Sequence, residues 1–364
     1  MIVSNGKVRE VGDADAIRVP AAADRIDASG LIVVPGFIDA HIHGAGGVDV
    51  MTGTPGALNS VGRTIARHGT TSFLPTTVSS PKDALTQAAS SIGSAIHQTR
   101  DAARPLGIHL EGPFISETRR GTHRSSNLLP PDGDLFQKWI DASGSTIRLI
   151  TVAPELDGVD DLIKVAHANR IRVAMGHSNA TLEQSTHAAD RGVCYAVHTF
   201  NAMRDFSHRD PGIIGAVLSD DRVFAEIIAD GVHVHPSVVR FFARAKQANR
   251  VLLSTDAISA AGMPDGRYKL GGDEVTVTQG VCRDHEGRLA GSTLTQDTAL
   301  KNFVAWTGFP LEAALLALTR NPADALGLTG KGVLEPGADA DFVVMDSTFR
   351  VMKTFVAGKL VFER

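Results

Sequence analysis

Eight short strand-like runs, at 36–43, 70–77, 106–111, 147–152, 172–177, 194–198, 224–229 and 251–256, punctuate the middle of this chain. Amphipathic, alanine-rich segments such as 83–99, 162–170, 182–191 and 237–249 lie between most of them. Strands that alternate with helices are joined by crossovers, and crossovers make neighbouring strands parallel. Eight parallel strands with intervening helices describe a (β/α)8 TIM-like barrel, whose functional residues sit at the C-terminal ends of the strands. Two further helical segments, 298–306 and 311–320, follow the eighth run, with Pro310 suited to a helix start. The competing architecture is a doubly wound open sheet. Against it, Gly44-Ala45-Gly46-Gly47 after the first run lacks the spacing and following helix of a dinucleotide-binding turn.

The ends of the chain read differently. Ile2-Val3, residues 7–11, 25–27 and 31–34 are short strand candidates separated by Asn5-Gly6, Gly12-Asp13 and Ser29-Gly30. Residues 341–346 and 354–362 read the same way, and neither end can bury much surface alone. The expected organisation is a small β-sandwich domain formed by both termini, 1–35 with 336–364, around the barrel at 36–335.

Composition bounds the function. With 364 residues, 43% hydrophobic and 21% charged, and a net charge of −4, the chain reads as globular and carries no general basic surface for nucleic acid. No apolar run approaches the roughly 20 residues that cross a bilayer, and residues 1–7 lack the order of a signal peptide. Cys194 and Cys282 are the two cysteines, too few for a disulfide framework. A cytoplasmic protein with no membrane or nucleic-acid partner is expected.

The polar residues collect at the run ends. Alternation within 36–43 puts Asp39, His41 and His43 on one face and Ile38, Ala40 and Ile42 on the other. Glu111 ends the third run, His177 the fifth, His198 the sixth and Asp256 the eighth. Singly, each could be a hydrogen-bonded core histidine or a helix-capping carboxylate. Collected on one barrel face, they form a metal-site donor set. Imidazole and carboxylate suit one or two divalent ions, Zn²⁺ first, with Fe²⁺, Co²⁺ or Mn²⁺ as alternatives. Asp256 is the natural general base beside such an ion. A non-catalytic barrel and a purely structural metal site are the rival readings. Neither explains an acid retained next to the ligands.

Several stretches carry a resemblance: Pro-Gly-Phe-Ile-Asp-Ala-His-Ile-His-Gly (35–44), His-Leu-Glu-Gly-Pro-Phe (109–114), Gly-Thr-His (121–123), Gly-His-Ser-Asn-Ala (176–180), His-Thr-Phe-Asn-Ala-Met (198–203), Ala-Asp-Gly-Val-His (229–233), Ser-Thr-Asp-Ala (254–257) and Gly-Ala-Asp-Ala-Asp (337–341). In these the chain resembles the amidohydrolase superfamily, and within it the N-acetylglucosamine-6-phosphate deacetylase family. The resemblance implies hydrolysis of the acetamido group of N-acetylglucosamine 6-phosphate, with the galactosamine epimer as the alternative substrate. It implies Glu111, His177 and His198 as metal ligands and Asp256 as catalytic acid/base. His123 would hold the developing oxyanion, and Thr122 would approach the sugar.

It further implies that Asn201 and Ala202 offer backbone N–H groups to the phosphate, with Arg209 and His233 adding charge. Asp230, Leu289 and Gly291 complete the substrate-binding set. Relatives with Gln-x-Asn on the first strand bind one metal. This chain keeps His41 and His43, so it resembles members with two metals bridged by the third-strand glutamate. Residues 147–155 contain no lysine, which separates the chain from cyclic-amide hydrolases that use a carbamylated lysine there. A homodimer is implied, with part of the phosphate site in some members coming from the neighbouring subunit.

Overall fold

The computed structural model describes residues 1–13 and 16–364. Eight parallel strands form the centre: β1 (Phe37–Ile42), β2 (Thr70–Thr77), β3 (Ile108–Glu111), β4 (Ile147–Val152), β5 (Arg172–Met175), β6 (Tyr195–Ala196), β7 (Phe224–Ile227) and β8 (Val251–Leu253). They are hydrogen-bonded in that order. The chain beyond β8 closes the ring onto β1, with Asp256 N–H donating to His41 O (3.0 Å) and His43 N–H to Ala257 O (2.8 Å). The expected barrel is the architecture found.

Helices α1 (Pro55–Ala66), α2 (Lys82–Ala95), α3 (Gly133–Ala142), α4 (Val159–Ala168), α5 (Leu182–Asp190), α6 (Gly212–Ser219) and α7 (Pro236–Ala245) return the chain between strands, and α8 (Gln296–Thr307), α9 (Leu311–Leu316) and α10 (Arg320–Leu326) follow β8. Their starts are written locally. Thr54 caps α1 by accepting the Ala57 N–H (3.1 Å), with Pro55 in the first turn, and Thr181 and Gln184 form a reciprocal capping box on α5. The apolar faces of helices and strands merge into one core. A second cluster fills the barrel interior with Ala40, Leu74, Leu149, Ala174, Tyr195 and Leu252, capped by Leu326 of α10. That plug makes the lower barrel solid and leaves the strand C-termini as the open end.

Two features near the open end differ from the sequence reading. Strand β1 does not alternate cleanly, because its pairing with β2 shifts register between Asp39 and Ile42. Ala40 therefore packs inside the barrel, while Asp39 shares a small cavity with Ile42, Thr64 and His68 and accepts the Thr255 hydroxyl at 2.6 Å. A bulge re-aims side chains in this way. Asp39 leaves the face it was expected to share with His41 and His43. The second difference is an insert after β8, the antiparallel strands β9 (Gly266–Leu270), β10 (Asp273–Thr278) and β11 (Val281–Arg283), which overhangs the open end.

The termini meet as expected. Ile32–Pro35, Phe342–Met345, Val351–Val356 and Lys359–Glu363 form one antiparallel sheet, with the Phe342 and Phe355 rings stacked at 4.3 Å. The hairpin of Ile2–Ser4 with Lys7–Glu10 joins the other end of the chain through Val8 N–H to Ala338 O (2.9 Å). Residues 25–27 form no strand.

Candidate active site

The strands end where their backbones turn across the barrel rim. His177 (φ 46°), His198 (φ 28°) and Asp256 (φ 49°) all lie in the left-handed region. Such a conformation costs a non-glycine residue roughly 1–3 kcal/mol and persists where surrounding structure holds it. Here it turns the side chain towards the barrel axis. Gly291 (φ 58°) passes so close that a Cβ would lie 2.8 Å from the Asp256 carbonyl oxygen and 2.4 Å from Ile258. Only glycine fits there.

At the centre is Glu111, 3% exposed. Its Oε1 lies 3.0 Å from His198 Nε2, 3.1 Å from His177 Nε2 and 3.3 Å from His41 Nε2. Its Oε2 lies 3.3 Å from His43 Nε2 and 3.4 Å from His123 Nε2. Asp256 Oδ1 is 3.1 Å from His43 Nε2 and 3.6 Å from His41 Nε2. The five expected ligands and the expected acid thus meet at one point.

The outer ring nitrogens settle the protons. A carbonyl oxygen can only accept, so His177 Nδ1–H donates to Arg119 O (3.0 Å) and His43 Nδ1–H to Thr76 O (2.9 Å). In the neutral rings both Nε2 atoms then present lone pairs inward. His177 Nε2 and His198 Nε2 are 3.1 Å apart, and His41 Nε2 is buried without a hydrogen-bond partner. Lone pairs and carboxylates converging in a buried site repel unless positive charge lies between them. Within the protein alone only protons can supply it. Burial opposes a charged His43, but its bonds to Asp256 and Glu111 outweigh burial and hold its pKa up to about 9. Burial likewise opposes the Asp256 and Glu111 charges. The His43 bond and the charges of His41 and His43 nevertheless bring Asp256 down to about 2, and the surrounding imidazoles hold Glu111 well below the carboxylate range.

Two groups, His41 with His43 and Asp256, and Glu111 with His177 and His198, each hold their ligand atoms within 4.8 Å of one another. Two imidazoles and a carboxylate gathered this closely are a fitting donor set for a divalent cation.

His123 is different. Ser79 N–H donates to its Nδ1 (3.1 Å), so the neutral ring carries its proton on Nε2, facing Glu111 and the cavity. Burial brings its pKa down to about 4 despite the bond to Glu111, so it enters the site as a neutral N–H donor.

The remaining expected residues divide. A cavity of about 160 Å³ over Glu111 is lined by Thr122, Asn201, Ala202, His233, Leu289 and Gly291. A larger one of about 540 Å³ opens beside it beneath the β9–β11 insert, sharing Val78, Thr122, His123 and Leu270. Asp230 stands behind the wall. It accepts the Val232 and His233 backbone N–H groups (both 2.8 Å) and the His233 ring Nδ1–H (2.7 Å). Burial works against a charged His233, and Asp230 more than offsets it, raising the imidazole pKa. Asn201 N–H already donates to His198 O (2.9 Å), which leaves Ala202 as the backbone donor of that turn. Arg209 is exposed on the 204–210 loop and does not line the cavity.

The profile of the Amidohydrolase family matches residues 32–361. The chain belongs to the amidohydrolase family. Among curated amidohydrolases it is 39% identical to N-acetylglucosamine-6-phosphate deacetylase of Lysinibacillus sphaericus, over 93% of this chain and 87% of that one. It is 38% identical to N-acetylgalactosamine-6-phosphate deacetylase of Escherichia coli O157:H7, over 94% and 90%. Among solved structures it superposes on a mutant N-acetyl-D-glucosamine-6-phosphate deacetylase of Mycobacterium smegmatis, in complex with N-acetyl-D-glucosamine-6-phosphate, with a TM-score of 0.91. That match has 35% identity and covers 99% of this chain and 93% of that one.

Sequence reasoning about this amidohydrolase passed over Glu226. It is fully buried on β7 and bonded to His41. The signal was present, since Glu226 is the single charged residue in the run Phe-Ala-Glu-Ile-Ile-Ala at 224–229.

Proposed function

We propose that this chain is a metal-dependent deacetylase that hydrolyses N-acetylglucosamine 6-phosphate to glucosamine 6-phosphate and acetate. One observation carries the reading: Glu111 stands between two imidazole sets, with a neutral N–H donor, His123, and a carboxylate, Asp256, on the same cavity. Glu111, His177 and His198 would hold one divalent cation, and His41 and His43 with Glu111 a second, zinc being the first choice. A cation held there supplies Lewis acidity and brings water's pKa from 15.7 to roughly 7.

The protein's own residues perform the rest. His123 Nε2–H donates to the acetamido oxygen as negative charge develops on it. Asp256, ionised at neutral pH, accepts a proton from the attacking water and returns it to the departing amine. At the cavity wall Ala202 N–H and the His233 imidazole, kept basic by Asp230, receive the phosphate, while Thr122 and Leu289 bound the sugar.

Residues 36–335 form the catalytic unit in this reading, and 1–35 with 336–364 the small β unit beneath it. We place the protein in the cytoplasm, in keeping with the absence, among the described residues, of any helix long and apolar enough to cross a membrane. A homodimer is part of the proposal. Arg209 lies off its own cavity on an exposed loop that also carries Phe206, 49% exposed, and a second copy is where its charge would find the phosphate.

The test is acetate release from N-acetylglucosamine 6-phosphate, N-acetylgalactosamine 6-phosphate and unphosphorylated N-acetylglucosamine. Turnover is expected to be fastest on the first and slowest on the last. Equal rates with and without phosphate would overturn the reading. Arg209→Ala is expected to weaken kcat/KM for the phosphorylated sugars about 10- to 100-fold, the scale of one charge-assisted contact. The unphosphorylated sugar should be unaffected, and equal losses on both would remove Arg209 from phosphate binding.

A further inference from the structure

Three donors converge on Glu226. The Tyr195 hydroxyl donates to its Oε1 at 2.5 Å, and the His198 backbone N–H to its Oε2 at 3.1 Å. His41 Nδ1 lies 3.1 Å from the same Oε2. With a carboxylate on that side, the ring proton of neutral His41 belongs on Nδ1, and the lone pair of Nε2 is turned towards Glu111 and Asp256. The carboxylate also pins the amide of His198, whose left-handed backbone (φ 28°) aims the His198 ring at Glu111. Glu226 and His41 are both fully buried, so water cannot take over either bond.

We propose that Glu226 is a positioning residue for the first-strand metal site: it fixes the tautomer and orientation of His41 and so creates the second divalent-cation position. This rests on the metal reading above. The carboxylate acts on His41 through the ring itself. It reaches His198 only through a main-chain amide, in a turn also held by Asn201 N–H to His198 O. Its removal therefore falls on the two positions unequally. Tyr195 is the brace, occupying the other oxygen and keeping the carboxylate plane aimed at His41.

The experiment uses the full chain, stripped of metal and titrated with Zn²⁺ against a chromogenic chelator, with no substrate present. The parent is expected to bind two equivalents. In Glu226→Gln one equivalent should keep parental affinity within about threefold, while the other weakens by about 10- to 100-fold, the usual effect of losing an outer partner of a metal-binding imidazole. His41→Gln should lose that same equivalent, and adding Glu226→Gln to it should cost nothing more. If the amide variant does not fold, Glu226→Asp keeps the buried charge and withdraws it by one methylene, with the same selective loss expected. Two equivalents at parental affinity in the Glu226 variant would overturn the inference. Equal weakening of both would overturn it too, since Glu226 would then support the barrel at large. A parent that takes up no zinc would overturn the metal reading and this inference together.

Discussion

Asp256→Asn is expected to lower turnover about 10²- to 10⁴-fold, the usual contribution of a positioned general acid–base group. The amide has the same shape but cannot accept the proton of the attacking water. Asp256 is suited to the role because it lies 3.1 Å from His43 Nε2 on the same cavity as Glu111, and positive charge beside it, on the imidazoles or on a cation they would hold, keeps it a carboxylate in the neutral range. The substitution also suits the backbone. Position 256 sits at φ 49°, a conformation that asparagine tolerates better than most residues. Its amide oxygen can still face His43, so metal content and melting temperature should stay near those of the parent. Activity within a fewfold of the parent would remove Asp256 from proton transfer.

Glu111→Gln is expected to have the larger effect. Among the described residues, Glu111 is the one side chain within 3.4 Å of His41, His43, His123, His177 and His198 together. A carboxylate has two oxygens and a full charge to place between two cations. An amide has one oxygen, no charge, and an NH2 group pointed at a ring nitrogen. Both cation positions should weaken together, and activity should fall by far more than the roughly 10–100-fold typical of an outer partner. This separates Glu111 from Glu226, whose loss should be felt at one position. Elemental analysis alongside turnover decides it: retention of both ions in Glu111→Gln would show that the glutamate does not bridge.

Much of the site was legible because barrel chemistry collects at strand ends, and a buried strand has little other reason to finish on His177, His198 or Asp256. The eight strand runs were legible for a related reason, since short apolar segments alternating with amphipathic helices leave few topologies. What escaped is what one-dimensional alternation cannot carry. Strict period-two counting put Asp39 with the histidines, but the register shift against β2 gives Asp39 to Thr255. Asn201 lines the cavity as expected of a residue near the phosphate, but the donation of its N–H to His198 O in the turn after β6 could not be read from spacing. Glu226 was hidden because its partners come from β1 and β6, 185 and 31 residues away in sequence. The β9–β11 insert was missed because polar, alternating strands after a completed barrel read as a loop.

The central claim is that hydrolysis depends on cations held by the Glu111 cluster. The direct measurement is acetate release from N-acetylglucosamine 6-phosphate by protein stripped with a chelator, then reloaded with Zn²⁺ in steps while bound metal is counted. Turnover should be absent in the stripped protein and return with the added metal. Full turnover in protein shown by elemental analysis to contain no metal would contradict the account.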